Sequence, residues 1–306
     1  MSEKTNGYTG MALAGREVAA RPSLKLEFFR RAIGKLLVRN NLMTVVGGAI
    51  ITTIILAAVF APFLAPHDYK EQTLSHALLP PSWSKGANST YLLGTDHLGR
   101  DLLSRIIFGA RTSLLVGVGA VIVAGSIGTI LGLLAGFVGG KLDSVIMRLA
   151  DIQLSFSAIL LCIAIMAVIG QGLSKVVIVL GVVSWVQYAR VVRGSTLSVK
   201  EELYIEAARA IGVSNWRIVT RHILPNISRP LMVITTVNAA RQILNEAALS
   251  FLGLGVQPPT PAWGSMLSEA RGFFRIAWWN TVFPGLAILV TVLGINLLGQ
   301  ALQPRQ

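Results

Sequence analysis

Residues with chemical potential are few in this chain and fall in three places. The first is a set of polar side chains inside an otherwise apolar stretch: Thr235, Asn238, Arg241, Gln242, Asn245 and Glu246. Thr235, Asn238, Gln242 and Asn245 follow helical spacing, and Arg241 extends their stripe on one face. A charge at the centre of a membrane helix costs roughly 2.5–3.5 kcal/mol on insertion scales. Such a stripe therefore requires water or polar partners, and its chemistry is hydrogen bonding and charge pairing. Asn238, Arg241, Gln242 and Asn245 are expected to line a polar path; the alternative is a hydrogen-bonded seam between helices. Glu246 lies five residues from Arg241, about 140° round the helix, so the two are not same-face partners. The second place is Asp96, Arg100 and Asp101, set among Gly94 and Gly99, which permit tight turns. These three side chains are expected to form a local ion-pair and hydrogen-bond cluster that pins their loop, a role that is structural in the simpler reading. The third runs from Glu201 to Pro225 and is a recognition surface rather than a reaction centre.

Catalytic patterns are missing from the sequence. Gly139-Gly140-Lys141 holds part of a phosphate loop, but Leu142 stands where Ser or Thr is needed and the upstream glycine is absent. Neither HExxH nor GxSxG occurs. His67, His76, His97 and His222 have no metal-ligand spacing. The lone Cys162 sits in an apolar run and reads as a small apolar residue. The chain is thus expected to carry no metal and no cofactor of its own.

The elements that position these residues follow from the solvent. Of 306 residues, 53% are hydrophobic and 13% charged, against roughly 25% charged in soluble domains. Such a chain is suited to a bilayer. An all-α, multi-pass membrane fold is expected, with spans at about 42–64, 113–137, 144–169, 173–192, 230–252 and 281–302, each near the ~20 residues that cross a bilayer. The fourth is the weakest, interrupted by Trp185, Gln187 and Tyr188. Most of the 27 Lys and Arg residues fall in the N-terminal segment from Lys4 to Arg39 and in the loop from Arg190 to Arg229. The positive-inside rule then places both termini in the cytoplasm. It also accounts for the net charge of +13 without nucleic acid. The expected map is a basic cytoplasmic segment (1–41), a first span (42–64), an external loop (65–112), a membrane core (113–302) holding a cytoplasmic loop (193–229), and a short cytoplasmic C-terminus (303–306). Gly128, Gly132, Gly136 and Gly140 recur every fourth residue, a small-residue packing face. Trp278 and Trp279 are expected in an interfacial aromatic belt.

Within the cytoplasmic loop, Glu201 to Ala210 has a helical pattern with acidic residues in the first turns, which suits the helix dipole. Gly212 is placed to end it. Ser214 is placed to cap a second helix over 215–224, which Pro225 is expected to stop. Ala207, Ala208 and Ala210 would leave one side small enough for close approach by a partner. The competing reading is an amphipathic helix lying on the membrane.

The segment Glu206-Ala207-Ala208, Gly212, Leu224-Pro225 resembles the EAA loop of permease subunits of ATP-binding cassette importers: Glu-Ala-Ala, three residues, Gly, nine residues, Ile-x-Leu-Pro. It departs from the pattern at His222, where the family has Ile. Leu93-Gly94-Thr95-Asp96-His97-Leu98-Gly99-Arg100-Asp101, with Gly109-Ala110-Arg111-Thr112-Ser113-Leu114, and the run from Glu246 to Gly264 resemble the second, C-type, permease of peptide-type importers. The resemblance runs from about Leu26 to the end. It implies a coupling helix between the fourth and fifth spans, built on Glu206, Ala207, Ala208, Gly212, Leu224 and Pro225. It also implies a homologous permease partner, two ATPase subunits that bind ATP and Mg, an external solute-binding protein, a peptide substrate and a bacterial plasma membrane. Asp96, Arg100 and Asp101 would then pin their loop to the outer mouth or to the binding protein. Glutathione and nickel complexes are alternative cargoes of such machinery. A stand-alone secondary transporter would need an internal repeat of spans, which the sequence lacks. A membrane-bound enzyme would need a catalytic constellation.

Overall fold

The computed structural model describes residues 41–302. The basic residues from Lys4 to Arg39, and Arg305, lie outside them. Every regular element among the described residues is helical, apart from an isolated bridge between Thr95 and Asp101. Besides short helical turns at Ala61–Leu64, Leu74–His76 and Val219–Ile223, the helices are α1 (Asn41–Val59), α2 (Leu102–Val138), α3 (Gly140–Leu154), α4 (Ala158–Ile169), α5 (Leu173–Lys200), α6 (Leu203–Ala210), α7 (Asn215–Ile218), α8 (Leu224–Phe251), α9 (Trp263–Ala270) and α10 (Trp279–Leu302).

Stretches in α1, α2, α5 and α10 are long and apolar enough to cross a membrane, and the bent pair α3–α4 adds a fifth candidate. The expected count of six is reached only with α8. That helix has 28 residues, but Asn238, Arg241, Gln242, Asn245 and Glu246 dilute its apolar character. More than half of the apolar window in α5 is buried, against 17% of that in α1, so α5 is the central helix and α1 a peripheral one.

Several boundaries differ from the sequence expectation. Helix α2 begins at Leu102, well before the expected 113, because Asp101 caps it by accepting from Ser104 N–H at 2.8 Å. Its 37 residues span about 55 Å, more than the roughly 30 Å of a hydrocarbon core. The expected third span, 144–169, is instead two helices bent by 90° at residues 155–157. There Ser155 N–H still donates to the Asp151 carbonyl at 3.2 Å, but Ser157 takes up extended backbone, and the helical ladder ends. Helix α5 runs on to Lys200 rather than stopping at 192.

The glycine stripe sets the main helix contact. A Cβ on Gly132 would lie 2.7 Å from the Ala189 carbonyl oxygen, and one on Gly136 2.8 Å from Thr196 Cβ. One on Gly128 would collide with Tyr188 and the Trp185 carbonyl. From the other side, a Cβ on Gly181 of α5 would stand 2.5 Å from Val123 Cβ. Glycines thus let α2 and α5 pack backbone to backbone. Gly140 is not part of this face. It follows Gly139 in a turn at positive φ (+61° and +73°), with open space around it.

Gly132→Leu forces α2 and α5 apart and is expected to lower stability by about 1–3 kcal/mol, read by SDS-titration unfolding of the purified protein. Gly194→Ala meets no atom within 4 Å and is expected to be neutral or slightly stabilising in the same assay.

Candidate functional site

The loop after α5 is a compact knob. Helix α6 ends in a complete Schellman motif: Val213 N–H donates to the Ala208 carbonyl (3.0 Å) and Gly212 N–H to that of Arg209 (2.9 Å), with Gly212 at φ +80°. Ser214 occupies the N-cap position of α7, without a side-chain cap bond. Ile205, Ala208, Ile218, Ile223 and Ile227 form the knob's core with Val192 of α5, and Leu133 and Phe137 of α2 pack against them. Lys200 Nζ donates to the Phe137 carbonyl at 2.9 Å. The knob is therefore seated on the ends of the two central helices.

Two expectations about this loop need correction. Ala208 faces the knob's interior, because it shares a helix face with Ile205 one turn away; Ala207 and Ala210 are exposed. Pro225 does not end a helix. The chain is helical from Asn215 to Phe251, passing through a π-helical turn at Val219–Ile223 directly before Pro225. A regular α-turn would press the proline ring on the carbonyl four residues back, and the wider π turn makes room. Glu206, Gly212, Leu224 and Pro225 are exposed. So are Leu203 (80%), Ile211 (81%) and Trp216 (77%), a large apolar patch that motif matching missed. Its signal in the sequence is apolar residues standing off the buried face of a short amphipathic pattern. His222, the departure from the EAA pattern, tilts against Tyr204 with centroids 6.2 Å apart, and Asn226 Nδ2 bonds both the Tyr204 hydroxyl (3.1 Å) and the His222 carbonyl (2.6 Å).

The cluster around Asp96 is larger than expected and differs in membership. Asp96 Oδ2 accepts from Arg100 Nε at 2.6 Å and from Arg105 Nη1; its Oδ1 accepts from the backbone N–H of Leu98 (2.8 Å) and Arg100 (3.0 Å). Glu269 of α9 accepts from Arg100 Nη2 (2.6 Å) and Arg105 Nη1 (2.8 Å). Two carboxylates and two guanidinium groups balance in charge, so an ion at Asp96, His97 and Glu269 would have to displace an arginine. Burial pushes the Asp96 carboxyl up, but Arg105, Arg100 and the Arg100 N–H outweigh it and hold the group below its usual 3.8. Asp101 stands apart from this cluster, since its Oδ2 is committed to Ser104 N–H and Oγ as the α2 cap. Arg105 lies in the first turn of α2, four residues after Asp101. Glu269 left no local signal, because its partners are more than 160 residues away. Trp279 is buried, not interfacial: its Nε1 donates to the Thr95 carbonyl at 3.1 Å, beside Asn280 Nδ2 at 3.2 Å.

The α8 stripe borders an open cleft together with Gln153 and the α5 residues Ser184 and Gln187. Asn238, Arg241, Gln242 and Asn245 all line it. Gln242 Nε2 donates to Ser184 Oγ at 2.6 Å and Arg241 Nη1 to Gln187 Oε1 at 3.3 Å. Gln153 is fixed by Trp185 Nε1 (2.7 Å) and by its own donation to the Val183 carbonyl (2.5 Å). Asn238 and Gln242 are buried, Asn245 half-buried and Arg241 exposed. The stripe is thus a seam at its edge and a cleft wall at its centre. Thr235 spends its hydroxyl on the Leu231 carbonyl (2.7 Å). Glu246 is fully buried and faces elsewhere, between Ser113 Oγ of α2 (3.1 Å) and Ser250 Oγ (2.7 Å).

This arrangement is the fold of a transporter's membrane domain. The inward-facing MetNI methionine ABC transporter includes a chain that superposes with a TM-score of 0.53, over 98% of that chain and 66% of this one, at 18% identity. Residues 128–306 match the family described as binding-protein-dependent transport system inner membrane component, and residues 36–81 match the N-terminal TM domain of oligopeptide transport permease C. The chain belongs to the binding-protein-dependent inner membrane component family, and it is a multi-pass protein of the bacterial plasma membrane. It is 47% identical to the di/tripeptide transport system permease protein DppC of Pseudomonas aeruginosa, over 82% of each chain. It is 42% identical to the glutathione transport system permease protein GsiD of Pectobacterium atrosepticum, over 90% of this chain and 88% of that one.

Glu269→Ala leaves two buried guanidinium groups with one carboxylate and is expected to cost about 3–5 kcal/mol. Asp101→Ala removes only a helix cap and is expected to cost about 1 kcal/mol. SDS-titration unfolding ranks the two, and equal losses would contradict the separation of Asp101 from the cluster. Because the Asp96 carboxyl is held below 3.8, its contribution is fully present above that pH and fades as pH falls through the lowered value. Unfolding measured against pH is therefore expected to be flat in this contribution from neutrality down to about pH 5 and to fall below it.

Proposed function

We propose that this chain is one of two homologous permease subunits of a peptide-importing ATP-binding cassette transporter, forming half of the translocation pathway. The observation that carries this reading is the joining of two features in one chain: a polar cleft wall on α8, and an exposed apolar knob continuous with that same helix. Identity of 47% to a di/tripeptide permease supports peptides as cargo, and the glutathione permease relative keeps glutathione, itself a peptide, as the second candidate. ATP and Mg bind to two separate ATPase subunits, and an external solute-binding protein delivers the peptide. The chain crosses the membrane six times, with α3–α4 as a broken third crossing and α8 as the fifth, tolerated because its polar face meets the pathway. Both termini are cytoplasmic, which the basic residues from Lys4 to Arg39 support.

The coupling surface is the knob. Trp216, Ile211 and Leu203, flanking Glu206, Ala207 and Gly212, enter a cleft on the ATPase. Closure of the ATPase dimer on ATP then moves the knob, and with it α8. The pathway opens alternately to the binding protein and to the cytoplasm. On the external side, the cluster around Asp96 and Arg100 holds the loop that frames the outer mouth.

Trp216→Ala leaves the buried core of the knob in place. It is expected to reduce ATPase co-purification and peptide uptake at least tenfold, since central aromatic anchors commonly contribute 2 kcal/mol or more. Gly212→Pro destroys the Schellman turn and is expected to abolish uptake. If no ATPase copurifies with the wild-type chain, or if both variants import peptide normally, the coupling reading is wrong. Competition of labelled dipeptide uptake by peptides of graded length and by glutathione separates the two cargoes.

A further inference from the structure

The α8 cleft holds a charge imbalance that bears on what passes it. Arg241 is the one charged side chain among the described residues lining it; the polar remainder is amide or hydroxyl: Gln153, Ser184, Gln187, Asn238, Gln242 and Asn245. A guanidinium has five N–H donors in a fixed fork. The contact assigned to Arg241 is a single long one, 3.3 Å to Gln187 Oε1, and no carboxylate pairs with it among the described residues. Beside it on the same wall, Asn238 and Gln242 are each 1% exposed, so the guanidinium is the strong donor of this face that a solute can reach. A guanidinium with most of its donors uncommitted, in a cleft otherwise lined by neutral groups, marks a place for an anionic group of a ligand.

We infer that Arg241 forms a subsite for the C-terminal carboxylate of a peptide in transit. This rests on the peptide-importer reading and adds which end of the cargo the chain holds. Arg241 takes the carboxylate through its fork. The dimensions agree. From Asn238 to Asn245 the helix rises about 10 Å, and an extended dipeptide spans about 7 Å. Arg241 is exposed to solvent, so the contact is screened and releases readily, as a path must.

The test uses the whole transporter, reconstituted in proteoliposomes with its partner permease, ATPases and binding protein. Uptake of labelled Ala-Ala is compared with that of Ala-Ala amide, each at a concentration that saturates the binding protein. The wild type is expected to import the free acid faster than the amide. Arg241→Gln is expected to slow the free acid about tenfold, the equivalent of one lost charge-assisted contact of 1.4 kcal/mol, while changing the amide less than twofold. Arg241→Lys, which keeps a charge but not the fork, is expected to fall between. If Arg241→Gln slows both peptides equally, or neither, or if both variants abolish all uptake, Arg241 is an inter-helix strut to Gln187 and the subsite is refuted while the importer reading stands. Failure of the wild type to import either peptide would instead overturn the peptide-importer reading.

Discussion

Everything in this structure depends on how closely α2 approaches α5. In lipid, apolar side chains gain little by leaving one hydrocarbon for another, so helices associate through packing and polar contact. Gly128, Gly132 and Gly136 on one side and Gly181 on the other remove the side chains that would hold the two backbones apart. That contact fixes where the other parts can be. The knob rests on the far ends of the same two helices through Val192, Leu133 and Phe137. The cleft is framed by Ser184 and Gln187 of α5. Ser113 of α2 reaches Glu246 of α8. Cleft and knob therefore share one support.

The polar groups divide according to burial. Around Asp96 the charges are deeply buried, and they persist because every carboxylate meets a guanidinium and the aspartate also meets backbone N–H groups. That lattice ties the start of α2 to α9 across a long stretch of sequence and closes one end of the molecule. At the cleft the reverse holds: the Arg241 charge stands exposed, with one long contact to Gln187. A paired charge holds a structure together, whereas an unpaired one is available to something that comes and goes.

Much of this was legible in the sequence, for reasons tied to particular residues. Apolar runs and basic loops mark a multi-pass membrane protein. The fixed spacing from Glu206 to Pro225 marks the knob, and Gly212 takes the left-handed turn that its position requires. The polar stripe on α8 follows from helical period alone. The misreadings are equally specific. The start of α2 was obscured because Asp101 is a helix cap hidden inside a loop motif. The break at Ser155–Ser157 is a change of backbone at Ser157 within an apolar run, which periodicity does not record. Pro225 reads as a stop in any local scheme, and only the π turn before it lets the helix continue. Glu269 joins Arg100 and Arg105 through tertiary packing that no spacing encodes.

The unbroken helical path from Asn215 to Phe251 has a mechanical consequence. A rod bends where its internal bonding is thinnest, and here the thin places lie together: the π turn at Val219–Ile223, Pro225, and Pro230, which has no N–H to give. All three are near the knob. From Leu231 to Phe251 the rod contains no such joint. A push at Trp216 is thus converted to tilt within the first few turns, and beyond them it travels as the swing of a stiff bar that carries Asn238, Arg241, Gln242 and Asn245 together. The four side chains move in unison, so their spacing is the same at either end of the stroke and only what lies opposite them changes.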